Sequence, residues 1–269
     1  MRALNGRHRA VICIGDNCLD RYLPPVDREL VGGSCANVSV ALASRGVETA
    51  YFGAVGRDVE GDRVLATLRK KNVDISRVVR DGALPTAVTE IALATDGERR
   101  FVREEYTITD AFSPPADLAE IAVGACHIHA TRLPRHLSEL WRIAADAGAT
   151  LSYDFSDHGL GTALADLDVA FVSSPRDEPW RVVSQLHRAG VRCAVVLRGS
   201  RGSLASEAGE VIEMSALRAV DVIDTCGAGD AFIGSFLAVR LAGRTLRECM
   251  EEGSRAGAAA CSFVGAFPQ

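Results

Sequence analysis

The sequence predicts an α/β protein in which a mostly parallel sheet is sandwiched by helices and carries a small β insertion. Three observations predict it. From about residue 117 onward, apolar strand-like runs alternate with amphipathic helix-like runs, the pattern of successive βαβ units. Two alternating segments flank Thr95-Asp96-Gly97-Glu98, a hairpin signature set into that alternation. Near the C-terminus a β-branched run passes into a helical run through the glycine-rich turn Asp224-Thr225-Cys226-Gly227-Ala228-Gly229-Asp230.

In chain order, residues 1–9 are short and basic and read as a frayed tail, since too little apolar sequence follows for a signal segment or a membrane span. Residues 10–15 form a buried-strand pattern that ends in Asp16-Asn17-Cys18-Leu19-Asp20, at the kind of strand end where open α/β sheets bind ligands. A short irregular link with Pro24 and Pro25 leads to Gly32-Gly33-Ser34-Cys35-Ala36-Asn37 and a helix to about Arg45. Residues 49–56 predict a strand and 60–71 an amphipathic helix with Val64, Leu65 and Leu68 on one face. The hairpin pairs 86–94 with 99–106 and is suited to a lid, with Arg99, Arg100 and Arg103 either solvated or reaching the bound substrates. Strands at 125–130, 150–154, 168–173 and 192–197 then alternate with helices at 135–147, near 159–164 and at 178–189. A further hairpin covers 203–213, a strand 219–223, and a final helix 245–263 whose Gly253, Ala256 and Gly257 permit close packing.

The 269 residues, 48% hydrophobic, suffice for one domain over 1–269. A net charge of -5 argues against nucleic acid as the main partner and favours a small soluble ligand. Eight cysteines without a C-x-x-C pair fit a reducing cytosol. His127 and His129 share one strand face and are the right residue type for a metal, yet no third ligand stands at a fitting spacing.

The chemistry is expected at the glycine-rich turn. Gly227 and Gly229 sit where a helix begins, so backbone N–H groups without intrahelical acceptors, at the positive end of the helix dipole, are open to an anion such as phosphate. Asp230, in the first helical turn, is placed to take a proton from a hydroxyl attacking that phosphate. Close packing of helix on sheet is the competing account of the same glycines. The chain has no G-x-x-x-x-G-K-[ST] loop and no G-x-G-x-x-G after its first strand. Gly32, Gly33 and Asn37 would let a polyol approach the backbone and meet an amide; a glycine turn with Ser34 as helix cap explains them equally. Asp154, in Tyr153-Asp154-Phe155-Ser156-Asp157, adds a carboxylate at the same edge or caps the next helix. Gly199 and Gly202 either admit a nucleotide or simply turn the chain.

Asp224-Thr225-x-Gly227-Ala228-Gly229-Asp230, following Gly32-Gly33 and Asn37 in that order, resembles the PfkB or ribokinase-like family of carbohydrate kinases over nearly the whole chain. Gly15-Asp16-Asn17-Cys18-x-Asp20, Asp154-Phe155-Ser156-Asp157, the short segment between Asp20 and Gly32 and the ending Gly265-Ala266-Phe267 resemble its fructoselysine 6-kinase branch. The resemblance implies a ribokinase-like three-layer α/β/α sandwich with a lid from about 17–31 and 84–106. It implies ATP-dependent transfer of the γ-phosphoryl group to the 6-hydroxyl of a fructosamine such as fructoselysine. Ribokinase, fructokinase or 2-keto-3-deoxygluconate kinase activity, or a catalytically silent regulator, are the alternatives. Asp230 would be the base, with Gly227, Ala228 and Gly229 as the anion hole. Asp16, Gly32, Gly33, Asn37 and the lid's Arg103 would hold the sugar, and Gly199, Gly202, Thr225, Gly227 and Gly229 the nucleotide. Mg2+ would arrive with ATP, Glu178 reaching it through water, and Asp224 would border a monovalent-cation (K+) site. Pro175 stands where many members carry Asn, and Leu197-Arg198-Gly199 replaces a more usual Thr-Leu-Gly. A cytoplasmic homodimer joined through the lid is the expected assembly.

Overall fold

The computed structural model describes residues 10–157, 167–174, 178–217 and 221–269. The first half contains β1 (Ala10–Ile14), β2 (Cys18–Tyr22), β3 (Arg28–Gly32), α1 (Ser34–Ala43), β4 (Thr49–Phe52), β5 (Ala54–Gly56), α2 (Val59–Lys70), β6 (Val79–Asp81), β7 (Val88–Leu93), β8 (Arg99–Glu105), α3 (Thr107–Ala111) and α4 (Leu118–Ala122). The second contains β9 (Ala125–Thr131), α5 (Leu137–Ala147), β10 (Thr150–Asp154), β11 (Val169–Ser173), α6 (Pro179–Arg188), β12 (Cys193–Leu197), β13 (Ser203–Glu207), β14 (Glu210–Met214), α7 (Ala228–Leu241) and α8 (Leu246–Ala260).

Eight strands form the main sheet in the order β14-β13-β12-β11-β10-β9-β1-β4. The neighbours from β12 to β4 run parallel, while β13 and β14 add an antiparallel edge. Because side chains alternate across a strand, Ile12 and Ile14 point into one core with Leu137, Leu140, Val182 and Leu186 of α5 and α6. Val11 and Cys13 point into the other with Val38 and Leu42 of α1, Phe232 and Phe236 of α7 and Met250 of α8. The result is the three-layer α/β/α sandwich that the alternation predicts. The small residues of the last helix serve close packing: a Cβ at Gly253 would lie 3.0 Å from the Phe232 ring of α7.

A second sheet, β3-β2-β7-β8, packs against the glycine-rich turn. Its inner side packs Tyr22, Leu30 and Ile91 against Cys226. Its hairpin tip meets the turn directly, since Thr225 N–H donates to the Gly97 carbonyl at 3.1 Å. The link expected to be irregular is thus the paired strands β2 and β3, whose register runs from Cys18 opposite Gly32 to Tyr22 opposite Arg28.

Other expectations change. The strand expected over 49–56 breaks at Gly53, where a Cβ would stand 2.2 Å from the Tyr51 hydroxyl; β4 stays in the main sheet and β5 pairs with β6. No strand exists at Asp221–Ile223: Val222 and Ile223 are 46% and 44% exposed, and Ile223 N–H donates to the Cys261 carbonyl behind the last helix. The β-branched composition there reflects a segment clamped between helix end and hairpin tip. The final helix stops at Ala260, short of Phe263. The tail at 1–9, the helix near 159–164, Pro175 and the first residues of the 219–223 run lie outside the described residues. Among the described residues no helix is long and apolar enough to cross a membrane.

His127 and His129 are core residues. His127 Nδ1 lies 2.7 Å from the Thr150 hydroxyl and its Nε2 2.7 Å from that of Ser152, which also meets His129 Nδ1 at 2.8 Å. Among the described residues no cluster of three or more His, Cys, Asp or Glu could hold a metal. Burial pushes both imidazoles down to about 3. A base whose folded value lies below its unfolded value, about 6.5, stabilises the fold fully above that pH and loses the contribution as pH falls toward 3. Denaturation midpoints followed from pH 7 to pH 4 are therefore expected to fall less steeply in a His127→Gln, His129→Gln double variant than in the wild type. Taking the difference cancels Asp20 and Asp154, whose raised values act with the opposite sign. Equal slopes would show that neither imidazole is held neutral.

Candidate active site

The turn between 224 and 230 is held by its first carboxylate. Asp224 is fully buried; its Oδ1 accepts from Cys226 N–H at 2.8 Å, and its Oδ2 from the Tyr22 hydroxyl at 2.5 Å and Gly265 N–H at 2.8 Å. Three donors make it a brace between the turn, the second sheet and the C-terminal segment. Gly227 stands at the N-cap of α7 with φ 72°, and no side chain caps the helix. A Cβ there would fall 2.4 Å from the Ala266 methyl, so both conformation and space require glycine. A Cβ on Gly229 would meet only Leu197, at 3.6 Å. The Ala228 amide donates to the Thr225 carbonyl at 3.3 Å, whereas those of Gly227 and Gly229 have no acceptor among the described residues and border the space between the turn and the end of β12, a cradle that fits an anionic phosphate.

Asp230, at the third position of α7, joins this cradle to the other end of the site. Its Oδ1 accepts from the Ser34 hydroxyl at 2.8 Å and its Oδ2 from Asn37 Nδ2 at 2.7 Å. The same Ser34 hydroxyl lies 3.2 Å from Asp154 Oδ2. Asp16 holds the start of α1, accepting from Ser34 N–H at 2.8 Å, Cys35 N–H at 3.1 Å and the Thr131 hydroxyl. The two glycines before α1 make room: a Cβ on Gly33, φ 95°, would strike the Asn17 backbone at 2.4 Å, and one on Gly32 would strike the Asp20 carboxylate at 2.0 Å. Asn37 is 6% exposed and its Oδ1 has no partner within the protein, an acceptor kept for a donor from outside.

Carboxylates from four elements therefore converge. Burial pushes Asp20 and Asp154 up to about 7. It also raises Asp230, against the Asn37 and Ser34 hydrogen bonds and the more distant Arg99, which favour the anion. Such a site attracts donors and cations and keeps a carboxylate poised as a proton acceptor.

Not every expected residue joins the cluster. Arg103 lies on the exposed β8 beside Glu105 and 3.8 Å from Glu90, an ion-paired surface side chain away from the carboxylates. Arg99 is the β8 arginine that reaches the turn: its Nη1 donates to the Thr225 carbonyl at 3.0 Å and approaches the Thr225 hydroxyl at 3.4 Å. Gly199, φ 57°, has open space around a built Cβ, whereas Gly202 is glycine because a Cβ would sit 1.9 Å from the Met214 carbonyl. Glu178, exposed at the N-cap of α6, stands beyond the end of β11 on the same edge of the sheet. Asp20 belongs to the carboxylate run read at the end of the first strand, but Tyr22 and Ser34 carry no local signal of a role in the site. Ser34 reads locally as a helix cap, yet Gly33 occupies that position and frees the hydroxyl to bridge two carboxylates.

The arrangement can hold an anion at the α7 amides and, next to it, a hydroxyl hydrogen-bonded to Asp230. The profile of the pfkB family carbohydrate kinases matches residues 25–159 and 165–268. The chain is 32% identical over 268 residues to fructoselysine 6-kinase of Escherichia coli K12, covering 96% of this chain and 100% of that one. It is 30% identical to a fructokinase of Salmonella typhimurium, covering 84% of this chain and 82% of the relative. The structure of Arabidopsis thaliana ribokinase complexed with ribose and ATP superimposes with a TM-score of 0.82 at 23% identity, over 96% of this chain and 93% of that one.

Proposed function

The chain belongs to the pfkB family of carbohydrate kinases, and from that premise we propose that it transfers the γ-phosphoryl group of ATP to the 6-hydroxyl of a fructosamine such as fructoselysine. The observation that carries the phosphoryl-transfer chemistry is the Asp230 carboxylate, tied on one side to Ser34 and Asn37 and placed on the other in the first turn of the uncapped α7. The sugar hydroxyl takes up a hydrogen bond to Asp230 beside the unpartnered Oδ1 of Asn37 and gives its proton to Asp230 as its oxygen attacks the γ-phosphorus and the bond to the β-phosphate oxygen breaks, releasing ADP. The amides of Gly227 and Gly229, and that of Ala228 on exchanging its 3.3 Å bond to the Thr225 carbonyl, stabilise the charge that gathers on the transferring group. Bound Mg2+ supplies charge neutralisation on the ATP phosphates, and Glu178 is the described residue that would reach it through water. Asp224 is satisfied by three protein donors, so no step is assigned to a monovalent cation there.

Two features support a fructosamine over a neutral sugar. Similarity to fructoselysine 6-kinases runs the length of both chains. Asp20 and Asp154, buried beside the sugar end, suit an acceptor carrying an amine, because a cation compensates carboxylates that burial disfavours. The four-stranded sheet serves as the lid, and the exposed edge strand β8 offers a second copy a place to pair. Free cysteines throughout suit the cytoplasm.

ADP release from ATP, measured in parallel with fructoselysine, other fructosamines, fructose, ribose and 2-keto-3-deoxygluconate, tests the reading. Fructosamines are expected to give the highest kcat/KM. If free sugars are turned over as well or better, the fructosamine assignment fails and the carbohydrate kinase assignment remains.

A further inference from the structure

One cation beside this site is left unused by the chemistry above. Arg132 follows Thr131, the last residue of β9, whose hydroxyl is bound to Asp16. In register, Thr131 lies opposite Asp154 on the neighbouring β10, and β1, which ends just before Asp16, lies on the other side of β9. Arg132 therefore emerges between the two carboxylates, at the edge of the sheet where the sugar is proposed to lie.

Three properties set it apart. Its φ is 51°, in the left-handed region that an arginine enters at a cost, and such strain gathers where the surrounding structure holds a side chain in place for use. Its guanidinium stacks on the Tyr106 ring, 3.8 Å from the centroid, and the Tyr106 hydroxyl is itself held at the base of the lid by Thr89 and Cys18, at 3.4 and 3.6 Å. Among the described residues no carboxylate lies within ion-pair distance of it, although Asp154 is one strand away. Stacking fixes the plane of the fork while leaving its N–H edge for a planar anion.

We propose that Arg132 is a specificity residue that receives the carboxylate of an amino acid attached to the sugar, with Asp154 on the neighbouring strand facing the amine that joins the two. The inference rests on the fructosamine reading and deepens it by naming what the acceptor carries beyond its sugar. A carboxylate matches the guanidinium fork in geometry and charge. An ammonium beside it matches Asp154, whose Oδ2 accepts, among the described residues, from the Ser34 and Ser156 hydroxyls alone, at 3.2 and 3.1 Å. A phosphate ester on the acceptor would satisfy Arg132 but bring a second negative charge toward Asp154 and Asp16. The charge pattern therefore favours a zwitterion over a sugar phosphate.

Arg132→Asn tests this cleanly, because asparagine accepts the left-handed conformation better than arginine does and the fold should not suffer. Wild type and variant are compared on a fructosamine with a free carboxylate, on its decarboxylated alkylamine counterpart, on fructose and on ribose 1-phosphate, with a thermal unfolding midpoint for each protein. Loss of a charged hydrogen-bonding partner is expected to lower kcat/KM for the carboxylate-bearing fructosamine by about 10–100-fold, mostly through KM. The alkylamine and fructose should stay within about 3-fold, and the midpoint should not fall. Equal losses on all acceptors, or a wild type indifferent to the carboxylate, would overturn the proposal while leaving the fructosamine reading standing. Arg132-dependent turnover of ribose 1-phosphate would overturn it in favour of a phosphate-bearing acceptor. Turnover of neutral sugars alone would sink both. Arg132-dependent turnover confined to 2-keto-3-deoxygluconate, added as a further arm, would keep the carboxylate contact and remove the amine.

Discussion

Replacing Asp230 by Asn is expected to lower kcat by about 10²–10⁴-fold, the usual worth of a positioned general base, while KM for ATP and acceptor change little. The geometry separates this loss from any loss of fold. Asp230 is a carboxylate that burial pushes upward, with Asp16 acting in the same direction. An amide of the same size removes that charge and keeps an oxygen for the Ser34 hydroxyl, which now supplies the 2.8 Å hydrogen bond to Oδ1, while Asn37 turns its amide so that its otherwise unpartnered Oδ1 accepts from the new Nδ2. The unfolding midpoint of the variant should therefore equal or exceed that of the wild type, as is common when a group kept for function is removed. ADP release and thermal unfolding on the same preparation decide the matter. Unchanged turnover would remove Asp230 from the chemistry, and a large fall in midpoint would make the activity loss uninformative about proton transfer.

Much of this was legible in the sequence because local chemistry and periodicity agree over most of the chain. The strand-helix alternation after residue 117 reports which side chains face each core, and Ile12 and Ile14 against Val11 and Cys13 show how cleanly a buried strand sorts its residues. The glycine at 227 was legible because both its φ of 72° and its contact with Ala266 exclude a side chain. Where periodicity misled, long-range contacts had intervened. Residues 221–223 carry a strand's composition, but the available partners are the end of α8 and the hairpin tip, so no ladder forms. Residues 49–56 look continuous until the Tyr51 hydroxyl, which donates to the Gly15 carbonyl at 2.8 Å, fills the space beside Gly53. In the site, the least legible residues act across great distances along the chain. Ser34 meets Asp230 from 196 positions away and Tyr22 meets Asp224 from 202. Choosing between Arg99 and Arg103 required knowing which end of the hairpin touches Thr225, and no local signal carries that.

The two glycines of the turn provide a paired experiment in which one methyl group should harm the fold and the other should harm turnover. On Gly227, alanine would have to adopt φ 72° and bring its Cβ within 2.4 Å of the Ala266 methyl, against a neighbouring Cα at 2.5 Å. Left-handed strain and overpacking together should cost about 2–5 kcal/mol and lower the unfolding midpoint by many degrees. On Gly229, already inside α7, alanine is the better helix former by up to about 1 kcal/mol, and its methyl meets Leu197 at an ordinary 3.6 Å. Its midpoint should hold or rise. That methyl, however, stands in the gap between the α7 amides and the end of β12, where the transferring phosphoryl group is proposed to sit. A phosphate held even a fraction of an ångström off the amides loses the stabilisation of its developing charge, which in comparable anion holes amounts to about 10²–10³-fold in kcat. Gly229→Ala is accordingly expected to be a well-folded, nearly inactive protein. If it instead turns over like the wild type, the α7 amides do not contact the transferring group. If its midpoint falls together with its activity, the glycine serves packing, which is the competing account of a glycine-rich turn between sheet and helix.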